Sequence, residues 1–251
     1  MRIVLAAAIA SLSLSASAFG QSNIPEAPEP VSNPSCMVEA PVTQDLVSAA
    51  GENGFTQIPN PLAPAILHGG ISATQAADRG DGAHGSLFFV RDAHGEWRAF
   101  YPSESEDTVG LYMAPASGAM IVVTMLQTEG PGPSWTVIHS DDGFTTGFCA
   151  TVNFPSSLNK PDYRAEYLEL HDVDLDARGR GEIVGVAHID RDTRQGDWWY
   201  AYRTQDGGAS WGSAHRLSRE RAARTGLYQP VADSPAPDDL VQDLQRYAAG
   251  R

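Results

Sequence analysis

Thr204-Gln205-Asp206-Gly207-Gly208-Ala209-Ser210-Trp211 is the stretch that decides how this chain folds. Trp198-Trp199-Tyr200-Ala201-Tyr202 stands just before it, an aromatic run suited to a strand. Asp206 can accept backbone N–H bonds across a tight turn, and a glycine permits positive φ. Trp211 offers a broad face for packing between sheets. The octapeptide predicts a hairpin corner.

Working outward, residues 87 to 218 carry short runs rich in Val, Ile, Tyr, Phe and Trp, separated by Gly, Asp and Ser. They read LFFV, WRAFY, VGLYM, MIVVTML, WTVIHS, YLEL, EIVGVAHI and WWYAY. Such spacing predicts antiparallel β-structure. Two of these stretches recur. Gly118-Ala119-Met120 lies 63 positions before Gly181-Glu182-Ile183, and Trp135-Thr136 lies 64 before Trp199-Tyr200. The second offset places Ser140-Asp141-Asp142-Gly143-Phe144-Thr145-Thr146 in register with 204–210, with Phe144 where Gly208 stands. A period of this length with four strands per unit suggests propeller blades.

The octapeptide resembles the Asp box, S/T-x-D-x-G-x-S/T-W, of sialidases and other β-propeller proteins. Thr204, Asp206, Gly208, Ser210 and Trp211 match at every specified position, and Ser140 and Asp142 belong to the degenerate copy. The resemblance covers roughly residues 85 to 218. It implies an all-β fold of about three to four sialidase-like blades, open or incomplete. A closed six-bladed ring would need a longer chain. It also implies that these box residues are structural and lie away from the functional side. With strands lettered A to D outward from the centre, the box is a C–D turn, and Asp176-Ala177-Arg178-Gly179 is the A–B turn at the same end. The opposite rim then receives residues 103–108, 127–134, 159–166 and 190–197. A sialidase-type site clamps a sugar carboxylate with arginines and uses a tyrosine nucleophile helped by a glutamate, with an acid aspartate. Tyr163, Arg164, Glu166, Arg191 and Asp192 are the candidates of those types on that rim. The family's R-I-P motif is absent, and no arginine matches its triad individually.

The rest of the chain bounds compartment and partners. Met1-Arg2, an apolar run to Leu14 and Ala16-Ser17-Ala18 read as a signal peptide over residues 1–18, against a buried N-terminal helix. Export to the periplasm or beyond makes Cys36 and Cys149 a plausible disulfide, with two free buried thiols as the alternative. Residues 19–42 form a Pro-rich leader, and 43–230 the β-domain, opening on a short helix from Thr43 to Gly51. Residues 231–251 hold a C-terminal amphipathic helix capped by Ser234, started by Pro235 and ended by Gly250, with Leu240, Val241, Leu244 and Tyr247 on one face. With 31 acidic and 17 basic residues, and Lys160 the only lysine, the chain suits neither nucleic acid nor an anionic membrane. The apolar N-terminal run is too short for a permanent anchor.

Three apparent motifs dissolve on inspection. Gly208-Ala209-Ser210-Trp211-Gly212 fits G-x-S-x-G but lacks the strand-then-helix context of a nucleophile elbow. Asp172-Val173-Asp174-Leu175-Asp176 has the acids of a Ca²⁺ loop. Ala177 and Ile183 stand where glycine and glutamate belong, so a strand running into a turn explains it better. Arg79-Gly80-Asp81 is a three-letter adhesion motif common by chance. No histidine pairing suits a metal, and no cofactor is expected, with a Ca²⁺ at the Asp172–Asp176 acids as the alternative. Two functions remain: a module binding a glycan or protein, as monomer or homodimer, and a reduced sialidase-type exo-glycoside hydrolase.

Overall fold

The computed structural model describes residues 36–72, 85–102, 107–126, 134–155, 168–176, 178–188, 196–218, 226–232 and 234–250. Six of the aromatic and aliphatic runs lie wholly on strands. EIVGVAHI lies on a strand as far as His188, and of YLEL only Glu169 and Leu170 are in a strand, with Tyr167 and Ile189 outside the described residues. The runs are apolar at successive positions, so a strand built from them must bury both faces. Three antiparallel sheets pack face to face, with sheet 2 between sheets 1 and 3 and so buried on both faces.

Sheet 1 has the order β1 (Met37–Ala40), β5 (Trp97–Pro102), β4 (Gly85–Arg91), β3 (Ala65–Ile71), β2 (Thr56–Ile58). Sheet 2 has β14 (Gln229–Pro230), β6 (Asp107–Met113), β7 (Met120–Leu126), β8 (Ser134–Ser140), β9 (Phe148–Asn153). Sheet 3 has β10 (Glu169–Leu175), β11 (Gly181–His188), β12 (Asp197–Thr204), β13 (His215–Leu217). Each sheet therefore contains a four-stranded meander, and sheets 1 and 2 each gain one strand from elsewhere in the chain. Helices α1 (Gln44–Ala50) and α2 (Asp238–Ala249) cover the outer face of sheet 1.

Side-chain alternation sorts the core into layers. Met120, Val122 and Ile138 meet Ile66, Phe88, Val90 and Phe100 across the sheet 1–sheet 2 interface. The opposite parity of the same strands, Ile121, Val123, Trp135 and Val137, meets Val173, Ile183, Tyr200 and Tyr202 of sheet 3. Gly185 interrupts β11 because Trp135 lies over it: a Cβ there would stand 2.5 Å from the indole ring. Leu67, Leu87, Phe89 and Trp97 pack under the helices with Leu46, Val47 and Leu244.

The first strands of the two meanders in sheets 2 and 3 carry the same irregularity. Register shifts between Thr108 and Gly110 of β6, and between Leu170 and Asp172 of β10. Met120 pairs with Ser140, and Gly181 with Thr204. The pairing thus equates Met120 with Gly181, correcting the match of Met120 to Ile183. That slip of two residues kept every side chain on its proper face, so apolar similarity alone could not detect it.

Cys36 and Cys149 form a disulfide, which fastens the start of β1 to β9 across the sheet 1–sheet 2 junction. Residues 37–40, on the leader side of the boundary expected at 42, pair with β5 and close that edge of sheet 1. Helix α1 is as expected: the Thr43 side chain accepts from the Leu46 N–H, and Gly51 ends it. Helix α2 ends at Gly250 and buries Leu244, with Leu240, Val241 and Tyr247 partly buried beside it. Its start is a correction. The helix begins at Asp238 after Pro237, with no side-chain cap, and Ser234 and Pro235 lie outside it. The Ser234 carbonyl accepts from Gln57 N–H, Pro235 bridges Thr56, and Ala236 N–H donates to Phe55 O, so this stretch stays extended along β2.

That extension is the end of a longer strap. Leu227 N–H donates to Leu175 O of sheet 3, β14 pairs with β6 of sheet 2, and Val231 N–H donates to Leu111 O. The strap then reaches β2 of sheet 1. It joins the first meander strands of two sheets and the edge of the third.

Candidate functional site

The two aligned turns share one hydrogen-bonding scheme. In the first, Gly208 N–H donates to Thr204 Oγ1 (3.0 Å), and Thr204 Oγ1–H to Asp206 Oδ1 (2.7 Å). Ser210 supplies its N–H to Oδ1 (2.9 Å) and its hydroxyl to Oδ2 (2.5 Å). In the second, Phe144 N–H donates to Ser140 Oγ (2.9 Å), and Thr146 supplies N–H (2.8 Å) and hydroxyl (2.7 Å) to Asp142. Phe144 holds φ at +73°, the conformation Gly208 adopts at +93°. Its ring is fully buried and stacks on Phe88 with centroids 4.2 Å apart. Trp211 packs partly buried at the sheet 2–sheet 3 interface. Ser210 gives both its N–H and its hydroxyl proton to Asp206.

Burial opposes the charge on Asp206, but the bonds from Ser210 and Thr204 hold its carboxyl below the ordinary range. Asp176 is also held low, first by the Arg180 N–H and then by the Arg180 side chain and the Arg178 N–H. The Asp172–Asp176 acids are thus a strand ending in a turn whose last carboxylate is occupied by its own arginine. Among the described residues no group of three His, Cys, Asp or Glu could hold a metal. Each depressed carboxyl stays ionised in the folded chain at pH values where the unfolded chain already binds a proton. Stability therefore falls as the pH drops below about 4. Replacing Asp206 by alanine should cost about 1–2 kcal/mol at neutral pH and flatten part of that acid slope in urea titrations.

Both turns lie at one end of the sheets. Gly207 N–H donates to Gly179 O (2.7 Å), which joins the Asp206 and Asp176 turns directly. At the same end His139 Nε2 bonds Tyr228 OH (2.8 Å) and lies 3.1 Å from Asp141. Burial pushes the imidazole pKa down against the Asp141 charge. Burial, with the same Asp141, raises the Tyr228 hydroxyl to about 12.

The opposite end holds an open cleft of about 900 Å³ where sheets 1 and 2 meet. Its polar wall is built by the β3–β4 register, which pairs Gly70 with Ser86 and His68 with Phe88. His68 and Ser86 therefore share the face toward sheet 2. His68 Nε2 lies 3.0 Å from Ser86 Oγ, and Ser86 Oγ makes a short hydrogen bond to Thr108 Oγ1 of β6. Stacking on Phe88 fixes the His68 ring. Thr56, Ser72 and Asn53 add polar groups, Leu111 and Val231 add apolar surface, and the β6 bulge at Val109 lies in the wall. Burial, then the Asp172 charge, raises the lining Tyr112 to about 12, so it stays a protonated donor.

Among the described residues no arginine lines this cleft. Tyr163, Arg164, Glu166, Arg191 and Asp192 lie outside the described residues, as do Arg79-Gly80-Asp81 and residues 1–35. The strands flanking the first five, β9 to β10 and β11 to β12, end on the cleft's side of the sheets. His68, Ser86 and Thr108 were not candidates from sequence. The only local signal was Thr108, at the edge of the 103–108 rim segment.

Among the described residues no helix is long and apolar enough to cross a membrane. No family model and no curated protein matches this chain. One solved structure is similar: a protein of unknown function from Dyadobacter fermentans DSM 18053, at 13% identity with a TM-score of 0.37. The match covers 66% of this chain and 50% of that one, so the chain spans about half the length of that structure.

Proposed function

We propose that this is an exported, Asp-box β-propeller-like protein of three blades that binds a glycan at the cleft opposite its box turns. The observation that carries the reading is the cleft wall: His68, Ser86, Thr108, Thr56, Ser72 and Asn53 present hydroxyl, imidazole and amide groups beside apolar Leu111 and Val231. Hydroxyl-rich ligands are held by such a mixture of short polar groups and apolar patches. Export is supported by the disulfide and by the signal-like residues 1–18. The blade reading is supported by three meanders packed face to face, two of them carrying the same carboxylate-braced turn and the same first-strand bulge.

The test is saturation-transfer NMR and titration calorimetry against a panel of neutral and acidic oligosaccharides. Binding to at least one sugar class is expected. His68→Ala should weaken it roughly tenfold, the worth of one or two lost hydrogen bonds. Binding unaffected by His68→Ala would place the ligand elsewhere, and no binding to any member would remove the reading.

The sialidase-type hydrolase keeps one support: its candidate residues fall between strands that end on the cleft side. Release of a fluorophore from a sialoside by the disulfide-intact protein would establish it, and no release would leave the binding reading alone.

A further inference from the structure

We propose that Ser86, with His68 as its base, performs acyl transfer in this cleft, hydrolysing a short carboxylic ester carried by the bound ligand. The glycan reading supplies only the carrier; the reacting pair is a matter of geometry. A serine hydroxyl becomes a nucleophile when an imidazole nitrogen stands within hydrogen-bond reach to take its proton. His68 Nε2 is 3.0 Å from Ser86 Oγ, and its ring is held on Phe88 at a centroid distance of 5.1 Å.

Three further observations favour chemistry over simple filling of the interface. Ser86 is only 4% exposed yet lines an open cleft, so its hydroxyl is largely shielded from bulk water but adjoins ligand space. It holds two side-chain partners on different sheets, His68 and Thr108. The cross-strand neighbour of Ser86 is Gly70, where a Cβ would meet nothing within 4 Å, so the space opposite the hydroxyl is unfilled. That open space on the sheet 2 side, next to Leu111 in the same wall, is where the acyl group of the ester would lie.

The step balances without a co-reactant beyond water. Ser86 Oγ bonds to the ester carbonyl carbon as its proton passes to His68 Nε2. The Thr108 hydroxyl, already bonded to that Oγ, is placed to donate to the oxyanion on the adjacent carbon. The C–O bond to the alcohol breaks, and His68 returns the proton to the leaving oxygen. Water then attacks the acyl-serine, giving one proton to His68. Carboxylic acid leaves, and Ser86 regains its proton.

The test uses the full, disulfide-intact chain. A fluorophosphonate should modify one residue stoichiometrically, and peptide mapping should place it on Ser86. p-Nitrophenyl acetate should give a burst of about one equivalent of nitrophenol. Ser86→Ala should abolish both, and His68→Gln should slow turnover by roughly 10²–10⁴-fold. Thr108→Val, a positioning change, should lower kcat more than it raises KM. Absence of label on Ser86, or label on another residue, overturns the proposal. If a sugar binds but Ser86 is inert, the acyl-transfer inference fails while the binding reading stands; if neither occurs, both fail.

Discussion

Replacing Phe144 by alanine should destabilise the protein by about 3–5 kcal/mol, the usual cost of deleting a buried phenyl ring. The ring is fully buried, stacks on Phe88 and lies in the same layer as Met120, Val122 and Ile138, so it belongs to sheet 2 and to sheet 1 together. Its backbone holds φ at +73°, where a residue with a Cβ bears about 1–2 kcal/mol of strain. The ring's burial outweighs that strain, which explains a phenylalanine where the other turn has Gly208. An unusual ranking follows. In most core positions glycine is worse than alanine, but here Phe144→Gly should be no worse than Phe144→Ala, because it alone removes the strain. Urea unfolding of both variants decides it. A glycine variant less stable than the alanine variant by about 1 kcal/mol or more would show that the positive φ is not a burden.

Reducing the Cys36–Cys149 disulfide should cost about 4–5 kcal/mol in the chain-entropy view, because the bridged residues are 113 apart. The structural consequence is local. β1 has four residues and pairs with β5 alone, so without the bridge it keeps one short ladder, the buried Met37 side chain, the Cys36 N–H to Gly147 O bond and the exposed Arg98–Glu39 ion pair. An exposed pair contributes little. Its release would bare the edge of β5, a site for unwanted pairing with other chains. The urea midpoint should drop on reduction, and amide exchange should rise first in β1 and β5. A midpoint unchanged by reductant, or by Cys36→Ser with Cys149→Ser, would show that β1 docks without its staple.

The central strands of sheet 2 were legible because that sheet is covered on both faces. Burial on both sides demands apolar residues at successive positions, and runs such as MIVVTML stand out from their polar turns. Thr43 and Gly51 marked α1 because capping is local chemistry. What depended on distant pairing was not legible. The strand β9, FCATVN, lies at a sheet edge and alternates weakly, with Val152 alone fully buried. The strand β14 is two residues including a proline. Ser234 looked like a cap, but β2 draws its carbonyl into a strand-like contact. The site shows the same limit. His68 and Ser86 are 18 positions apart, with no motif between them, and only the β3–β4 register brings them together. Strand order alone, however, predicted that the loops around 103–108 and the cleft share one end of the sheets, opposite the 140–146 and 204–211 turns.

The strap from Leu227 to Ala236 bears on how the chain assembles. Every meander is made of neighbours in sequence, so each can zip up as soon as its own residues are free. β14, by contrast, must find β6 across more than a hundred intervening positions, and it carries Pro230 and Val231 into the cleft wall when it does. The cleft is therefore whole only once this distant ribbon has paired with β6. Any competence it has to hold a ligand is thereby tied to the completion of the entire molecule.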